Sequence, residues 1–563
     1  FILVLILFAS HHLMGQRYFG YSGSSPDGSH TPINLGNLDN QVLLQAELER
    51  RQQSPETPIR FAHIQSVNLD MTQAASWEVT DDGMLIGKLK LKSSLAHSLN
   101  LHFSEFDIPE DALLNLYNPI TGQSHRQFTR SDVESHRQLW TPIIFGDVVM
   151  LEVVTTEQDF DKVNINIESA YHDYLGFNTA FERKSGGCNL DVICGQNDGF
   201  ENVEQYRKQI TSVGAYHFNG QEICSGVAIN NAERDCTPYF LTANHCGVNQ
   251  GTALSMVVYW NYENSYCRQP NGPQSSQEGD GQLNQYNVGA FFKARDILSD
   301  FALVELDDPI DQQYNIYLSG WDRSNDLPSQ TVAIHHPGVE EKRISFDYDA
   351  PEIDFSSSGQ GKRIKVNDWD VGTTEGGSSG CPLYSEEGLI IGQLVGGTAS
   401  CSNNEWDIFG WFHKSWDANN SSASSLESWL DPKGLSGDKL TGQNCSYMLN
   451  FDQADTKVCN TQSENSHEIV ISANSAFSES AMLQIVEDAG LDISLLVTQI
   501  DFNSSATLQV NDIHSVDPGD YLIKLKGNNS QVDLNLDINL NVVETSPEKP
   551  ILAGPQNMAE GIN

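Results

Sequence analysis

Two short segments carry residue types that can do covalent chemistry together. One is Gly376-Gly377-Ser378-Ser379-Gly380-Cys381-Pro382, and the other, upstream, is Leu241-Thr242-Ala243-Asn244-His245-Cys246. A serine hydroxyl is a poor nucleophile at neutral pH. It becomes effective when an imidazole takes its proton and a carboxylate orients that imidazole. Backbone N–H groups must also face the developing oxyanion, and glycines near the serine permit the tight turn that aims them. The two segments together point to acyl transfer by an activated serine, with His245 as the general base.

Chain order and local spacing sharpen the assignment. The spacing Gly-x-Ser-Gly-x-Pro is met by Gly377, Ser379, Gly380 and Pro382, which selects Ser379 over Ser378. The expected oxyanion donors are the N–H groups of Gly377 and Ser379. Histidine precedes serine, so the order His, Asp, Ser separates this chain from subtilisin-type enzymes and α/β-hydrolases. The segment 377–381 also lacks the G-x-S-x-G spacing of a hydrolase elbow. The acid must then lie between the two segments. Asp300, just before the apolar run Phe301-Ala302-Leu303-Val304, is the first candidate; Asp296 and Asp280 sit in more polar surroundings.

Elements able to hold such a site are strands. From Met84 to Ile167 apolar and polar residues alternate, as in Leu89-Lys90-Leu91-Lys92 and Val163-Asn164-Ile165-Asn166-Ile167, and period two implies half-buried strands in a β-sandwich. The region 16–80 is polar and gives no clear pattern. The first cysteine is Cys188, just after Arg183-Lys184-Ser185, and a domain boundary is placed there. Residues 185–443 read as short strands, with one helix near Ala423 to Leu430 ending before Pro432. After Cys445, runs such as Tyr521-Leu522-Ile523-Lys524-Leu525 suggest an immunoglobulin-like sandwich over 444–545. Pro518-Gly519-Asp520 reads as a turn. Residues 546–563 are a Pro-rich linker toward a possible further domain.

With 563 residues the chain exceeds one ordinary domain. It has 32 basic against 75 acidic residues, net −43, which argues against nucleic acid or an anionic membrane as partner. The apolar run Phe1-Ile2-Leu3-Val4-Leu5-Ile6-Leu7-Phe8 reads as the core of a signal peptide over 1–15. It is too short for a membrane span. Ten cysteines in an exported chain imply disulfides. No cofactor or metal is expected. His335-His336-Pro337 lacks partners at ligand spacing, and alternation puts the Asp and Asn side chains of 533–539 on a solvent face, so calcium is not expected there.

Several further motifs carry a family resemblance. Cys188-Asn189-Leu190-Asp191-Val192-Ile193-Cys194, Val258-Tyr259-Trp260-Asn261-Tyr262, Gly320-Trp321-Asp322-Arg323, Ile334-His335-His336-Pro337, Glu341-Lys342-Arg343-Ile344-Ser345 and Thr374-Glu375-Gly376-Gly377-Ser378-Ser379-Gly380 resemble the bacterial lysyl endopeptidases. The resemblance spans roughly 185–435, and the flanks resemble that family's propeptide and C-terminal modules only loosely. It implies an all-β protein: a chymotrypsin-like double β-barrel preceded by a β-rich propeptide, 16–184, and followed by the sandwich. It implies a secreted, monomeric serine endopeptidase that cuts protein or peptide substrates after lysine through an acyl-enzyme.

A cationic substrate side chain needs a buried anion. Trypsin's acid lies six residues before the nucleophile, and Thr373 stands there. The family's acid falls in the segment matching Asp407-Ile408-Phe409-Gly410, which makes Asp407 the specificity residue. Where the family has a histidine, this chain has Val395. Cleavage at Lys184–Ser185 would let a lysine-cutting enzyme release its own mature form. Ser378 replaces the aspartate that receives trypsin's new N-terminus, so activation is expected not to insert a freed amino group. The leader is expected to assist folding and to cover the cleft. The resemblance implies the disulfides Cys188–Cys401, Cys194–Cys267 and Cys224–Cys246. Cys236 and Cys381 lie outside its pattern and are expected to pair, and Cys445 and Cys459 to close a local loop.

Competing expectations are a trypsin-like enzyme accepting Lys and Arg, and a catalytically silent adhesin that uses its sandwiches for binding.

Overall fold

A computed structural model describes residues 31–543, apart from 55–56, 134–135, 177–184, 276, 357–358, 446–448, 452–456, 461–465, 474–480, 501–504 and 529–532. The apolar run at the start, Arg183, Lys184 and the Pro-rich end lie outside the described residues.

The alternation read in the leader produces two sheets. The first orders strands Ile33–Asn37, Met84–Ser94, Val148–Thr156 and Leu113–Tyr117; the second orders Ala62–Asp70, Asn164–Asp173, Ser98–Asp107 and Leu139–Trp140. In Met84–Ser94 the residues Leu89 and Leu91 are buried. Lys88 and Lys92 on the other face pair with Glu78 and Asp147. Each fully buried leucine contributes about 1.5–3 kcal/mol. One apolar core runs through both sheets and continues into the following unit through Ile223, Val257, Tyr259, Tyr262, Tyr286 and Val288. The leader is thus packed on its neighbour rather than tethered beside it.

The region left unread over 16–80 contains a helix, Asn40–Gln53, capped by Asp39, whose carboxylate accepts from Gln41 and Val42 N–H. Its sequence, NQVLLQAELERRQQ, is rich in good helix formers but has no continuous apolar stripe, so no amphipathic period announces it.

Two curled sheets follow. One orders Tyr286–Val288, Val257–Tyr259, Val213–Phe218, Glu222–Ala228, Tyr239–Ala243, Phe301–Leu306 and Ala290–Asp296. The other orders Leu190–Asp191, Arg343–Asp347, Thr331–His335, Pro382–Ser385, Ile390–Gly397, Asp407–Trp411, Arg363–Val366 and Glu352–Asp354. The first encloses Tyr216, Phe240, Val258, Trp260 and Val304; the second encloses Ile364, Val366, Leu383, Leu394 and Phe409. This is the chymotrypsin-like double barrel. The expected helix near 423–430 is one turn, Glu427–Leu430.

Beyond residue 449, two sheets share one core that includes Ile469, Leu508, Ile523, Leu525 and Ile538. Strand Gly519–Asn528 starts at Gly519, inside the segment expected to turn; the chain passes from one sheet to the other just before it, through the 3-10 turn Ile513–Ser515.

Cysteines 188 and 401, 194 and 267, and 224 and 246 are bridged. The expected Cys236–Cys381 pair is not formed: Cys236 bonds Cys445, 209 residues away, and Cys381 is a free, buried thiol. Cys381 sits inside the core of the second barrel, whereas Cys236 lies beside Gln443, where the chain leaves the catalytic unit. Cys445 is therefore not available to Cys459.

Candidate active site

Register brings His245 and Asp300 together. Strand Tyr239–Ala243 pairs antiparallel with Phe301–Leu306, with Ala243 opposite Phe301. The turn after the first strand, Asn244–Cys246, therefore meets the residue just before the second. His245 Nδ1 lies 2.7 Å from Asp300 Oδ2, while His245 N donates to Asp300 Oδ1 at 2.9 Å and Asn244 N donates to Asp300 O at 2.7 Å. Asp300 is 3% exposed and has φ +59°, a left-handed conformation uncommon outside glycine, asparagine and aspartate. A carboxylate held this way fixes Nδ1 as the protonated nitrogen and leaves Nε2 able to accept a proton. Nε2 is buried and, among the described residues, without a hydrogen-bond partner.

The runners-up do other work. Asp296 Oδ2 accepts from Leu298 N, Ser299 N and the Ser299 hydroxyl, and Asp280 holds Ser265.

The turn carrying Ser379 docks on strand Tyr239–Ala243 and on its neighbour Glu222–Ala228. Ser225 N donates to Ser379 O at 2.9 Å. A Cβ built on Gly380 would lie 2.2 Å from Thr242 Oγ1 and 2.5 Å from Ser225 O, so only glycine fits against this wall. The peptides on either side of Gly377 are each held: Gly338 N donates to Gly376 O at 2.7 Å, and the Ser225 hydroxyl donates to Gly377 O at 2.9 Å. Among the described residues, neither Gly377 N nor Ser379 N has an acceptor. Two free N–H groups on one tight turn are what an oxyanion hole requires.

Ser378 has a structural partner. His335 is fully buried, its Nδ1 is 2.7 Å from the Ser378 hydroxyl, and its Nε2 is 3.2 Å from the Ser345 hydroxyl. Ser345 spends its proton on Thr373 O, so Nε2 is the donor and Nδ1 accepts from Ser378. Burial pushes the His335 pKa down to about 3, in keeping with a neutral ring. The adjacent His336 is stacked on Tyr262 and bonds Glu340 O through Nδ1.

Asp407 is 1% exposed, and burial raises its carboxyl above the usual range. Its Oδ2 accepts from Trp369 Nε1 at 2.8 Å and from the Thr374 hydroxyl at 2.7 Å. A Cβ on Gly397 would come within 2.1 Å of Asp407 Oδ1, so this glycine gives the carboxylate its room. Trp369, Thr374, Ser225, Gly338 and the His335–Ser378 bond were not singled out from sequence. Only Thr374, next to Thr373, lay where a search for pocket residues could have stopped.

The leader reaches this site. Strand Ile59–Arg60 pairs antiparallel with Glu222–Ala228, and Phe61 N donates to Gln221 O. Arg51 Nη2 and Ile59 Cδ1 lie 2.7 and 3.1 Å from a Cβ built on Gly376, beside the oxyanion turn.

Comparison with known proteins fits this geometry. The chain matches the model "Lysyl endopeptidase, C-terminal domain" over residues 183–410 and "Lysyl endopeptidase N-terminal domain" over residues 34–172. The chain belongs to the lysyl endopeptidase family. A lysyl endopeptidase of Pseudomonas aeruginosa is 25% identical over 376 residues, covering 62% of this chain and 77% of the relative. Among solved structures, the VesB protease of Vibrio cholerae has 12% identity and a TM-score of 0.23, covering 59% of this chain and 95% of VesB. A Glu endopeptidase in complex with MPD has 16% identity and a TM-score of 0.23, covering 36% and 85% respectively. The family makes the chain a serine endopeptidase. Among the described residues no helix is long and apolar enough to cross a membrane.

Proposed function

We propose that this lysyl endopeptidase homologue is the secreted precursor of an enzyme that cuts peptide bonds after lysine. Ser379 attacks the scissile carbonyl, and His245 Nε2 takes its proton and later gives it to the leaving amine. Asp300 stabilises the imidazolium, and Gly377 and Ser379 N–H hold the oxyanion. The observation that carries this reading is the doubly held His245–Asp300 pair beside a glycine turn with two free N–H groups.

Lysine recognition rests on Asp407. A carboxylate buried at 1% exposure, with two hydrogen-bond donors and, among the described residues, no ion-pair partner, is suited to a long cationic side chain. Residues 16–184 are read as a propeptide, 185–443 as the catalytic unit and 444–545 as an immunoglobulin-like module. The contact of Arg51 and Ile59 with Gly376 supports a leader that covers the cleft until it is cut away.

The test is an organophosphate label on the mature protein followed by a digest of a denatured substrate. An adduct on Ser379 with cuts after lysine is expected. Abundant cuts after arginine would favour the trypsin-like reading, and the absence of any adduct would favour a silent binding protein.

A further inference from the structure

The chain at Ser185 is built into a buried corner rich in acids. Ser185 is 3% exposed. Its hydroxyl donates to Glu340 Oε2 at 2.8 Å and accepts from Arg343 Nη2 at 3.2 Å. The next residue, Gly186, donates its N–H to Glu375 Oε1 at 2.7 Å, and Asn189 Nδ2 donates to the same oxygen at 3.0 Å.

Charges do not balance there. Arg343 is shared between Asp191 at 2.6 Å and Glu340 at 3.5 Å, and Arg268 between Asp191 at 2.8 Å and Glu341 at 2.9 Å. Lys342 is committed elsewhere, to Glu263 at 2.8 Å. Asp191, Glu340, Glu341 and Glu375 thus have Arg268 and Arg343 between them. Burial holds the Glu340 and Glu375 carboxyls above their ordinary values, as expected where compensating positive charge is short.

We propose that this corner is a ready-made site for an α-ammonium group, filled by the new N-terminus of Ser185 once the Lys184–Ser185 bond is cut. The proposal rests on the processing reading above. Hydrolysis adds water across that amide: Lys184 keeps the carboxylate, and the Ser185 nitrogen leaves as an amine and takes a proton. The nitrogen belongs to the residue whose hydroxyl already lies on Glu340, so the ammonium reaches the acids without rebuilding the corner. It supplies the missing charge and three donors where the peptide had one.

The site borders the catalytic turn. Gly338, whose N–H holds Gly376 O, lies two residues before Glu340, and Glu375 immediately precedes Gly376. The ammonium would tie together the two segments that orient the Gly377 N–H. It does not use the position of Ser378, which His335 already satisfies. A freed amino group has a different acceptor here, in Glu340 and Glu375.

The test compares three mature proteins released by an added site-specific protease: one starting at Ser185, one with a glycine left ahead of Ser185, and one starting at Ser185 with Glu340→Gln. Each protein is made with ¹³C/¹⁵N-labelled serine and glycine, and its unmodified N-terminal amine is titrated by NMR through the shifts of its nitrogen and Cα. In the first protein the amine is expected to titrate at least about one unit above that of the glycine-extended form, whose exposed amine keeps the ordinary value near 7.7–8.0. Glu340→Gln should remove most of the shift. An equal pKa in the first two proteins overturns the proposal, as does a native maturation cut at another bond. The glycine-extended protein keeps every side chain, so the comparison survives if Glu340→Gln fails to fold. Organophosphate labelling of Ser379 in the same samples reports separately on the protease reading.

Discussion

Asp300 holds His245 by two bonds rather than one, Oδ2 to the ring Nδ1 and Oδ1 to the backbone N–H of the same residue. Tautomer and backbone position are therefore fixed by one carboxylate. Asp300→Asn keeps the shape but presents an amide that can force the wrong tautomer. We expect kcat on a lysyl ester to fall by about 10⁴, with KM little changed, by analogy with other Ser-His-Asp enzymes. A loss below about tenfold would remove Asp300 from the triad and return attention to Asp296.

Trp369 and Thr374 should matter to lysine binding through Asp407. Hydrogen bonds to a charged group are worth about 1.5–3 kcal/mol. Trp369→Phe and Thr374→Val are each expected to raise KM for lysyl substrates by roughly ten- to a hundredfold. Asp407→Asn should cost more, on the order of 3–5 kcal/mol in kcat/KM, since the substrate ammonium then enters without an anion. Steady-state kinetics on lysyl and uncharged esters separates these effects: turnover of the uncharged ester should survive all three changes.

Acid should loosen the leader. Burial pushes the pKa values of His125 and His172 down to about 4, and that of His217, packed against Phe61 of the leader, to about 3. A depressed histidine binds more protons when exposed. Its contribution to stability is complete above the ordinary value near 6.5 and is lost as pH falls toward the folded value, at up to about 1.4 kcal/mol per pH unit for each group. Asp173, raised by burial, works in the opposite direction. With three depressed histidines the balance favours opening. Urea melts of the Ser379→Ala precursor at pH 7.5 and pH 5 should show a lower leader midpoint at pH 5; an equal or higher one refutes the prediction.

Cys381 should be inert in the folded protein. It is completely buried, and burial raises its thiol pKa well above the ordinary value, with Asp407 adding to the effect. A thiol reagent should react with it only after denaturation. Cys236→Ser, which opens the bridge to Cys445, is expected to cost about 2–5 kcal/mol of stability without lowering kcat. Peptide mapping without reduction that found Cys236 joined to Cys381 would reverse both expectations.

The amino-acid sequence alone was enough to place the chain among the serine endopeptidases. Glycines on either side of Ser379, a histidine upstream and an aspartate before an apolar strand are local patterns, and the reaction needs those residue types at those spacings. The alternation of Leu89-Lys90-Leu91-Lys92 likewise predicted strands, because a side chain's face on a strand follows from its own position. Tertiary structure decided what depends on distant partners. The helix Asn40–Gln53 has no apolar stripe and takes its place from the surface it covers. Cys236 chose Cys445 over Cys381 because the second barrel's core encloses Cys381. Gly338, Ser225 and His335 brace the nucleophile turn from segments far away in sequence, and only folding makes them neighbours. The acids around Ser185 are unremarkable in the sequence. Their meaning appears when folding gathers Asp191, Glu340, Glu341 and Glu375 around Arg268, Arg343 and the Ser185–Gly186 segment.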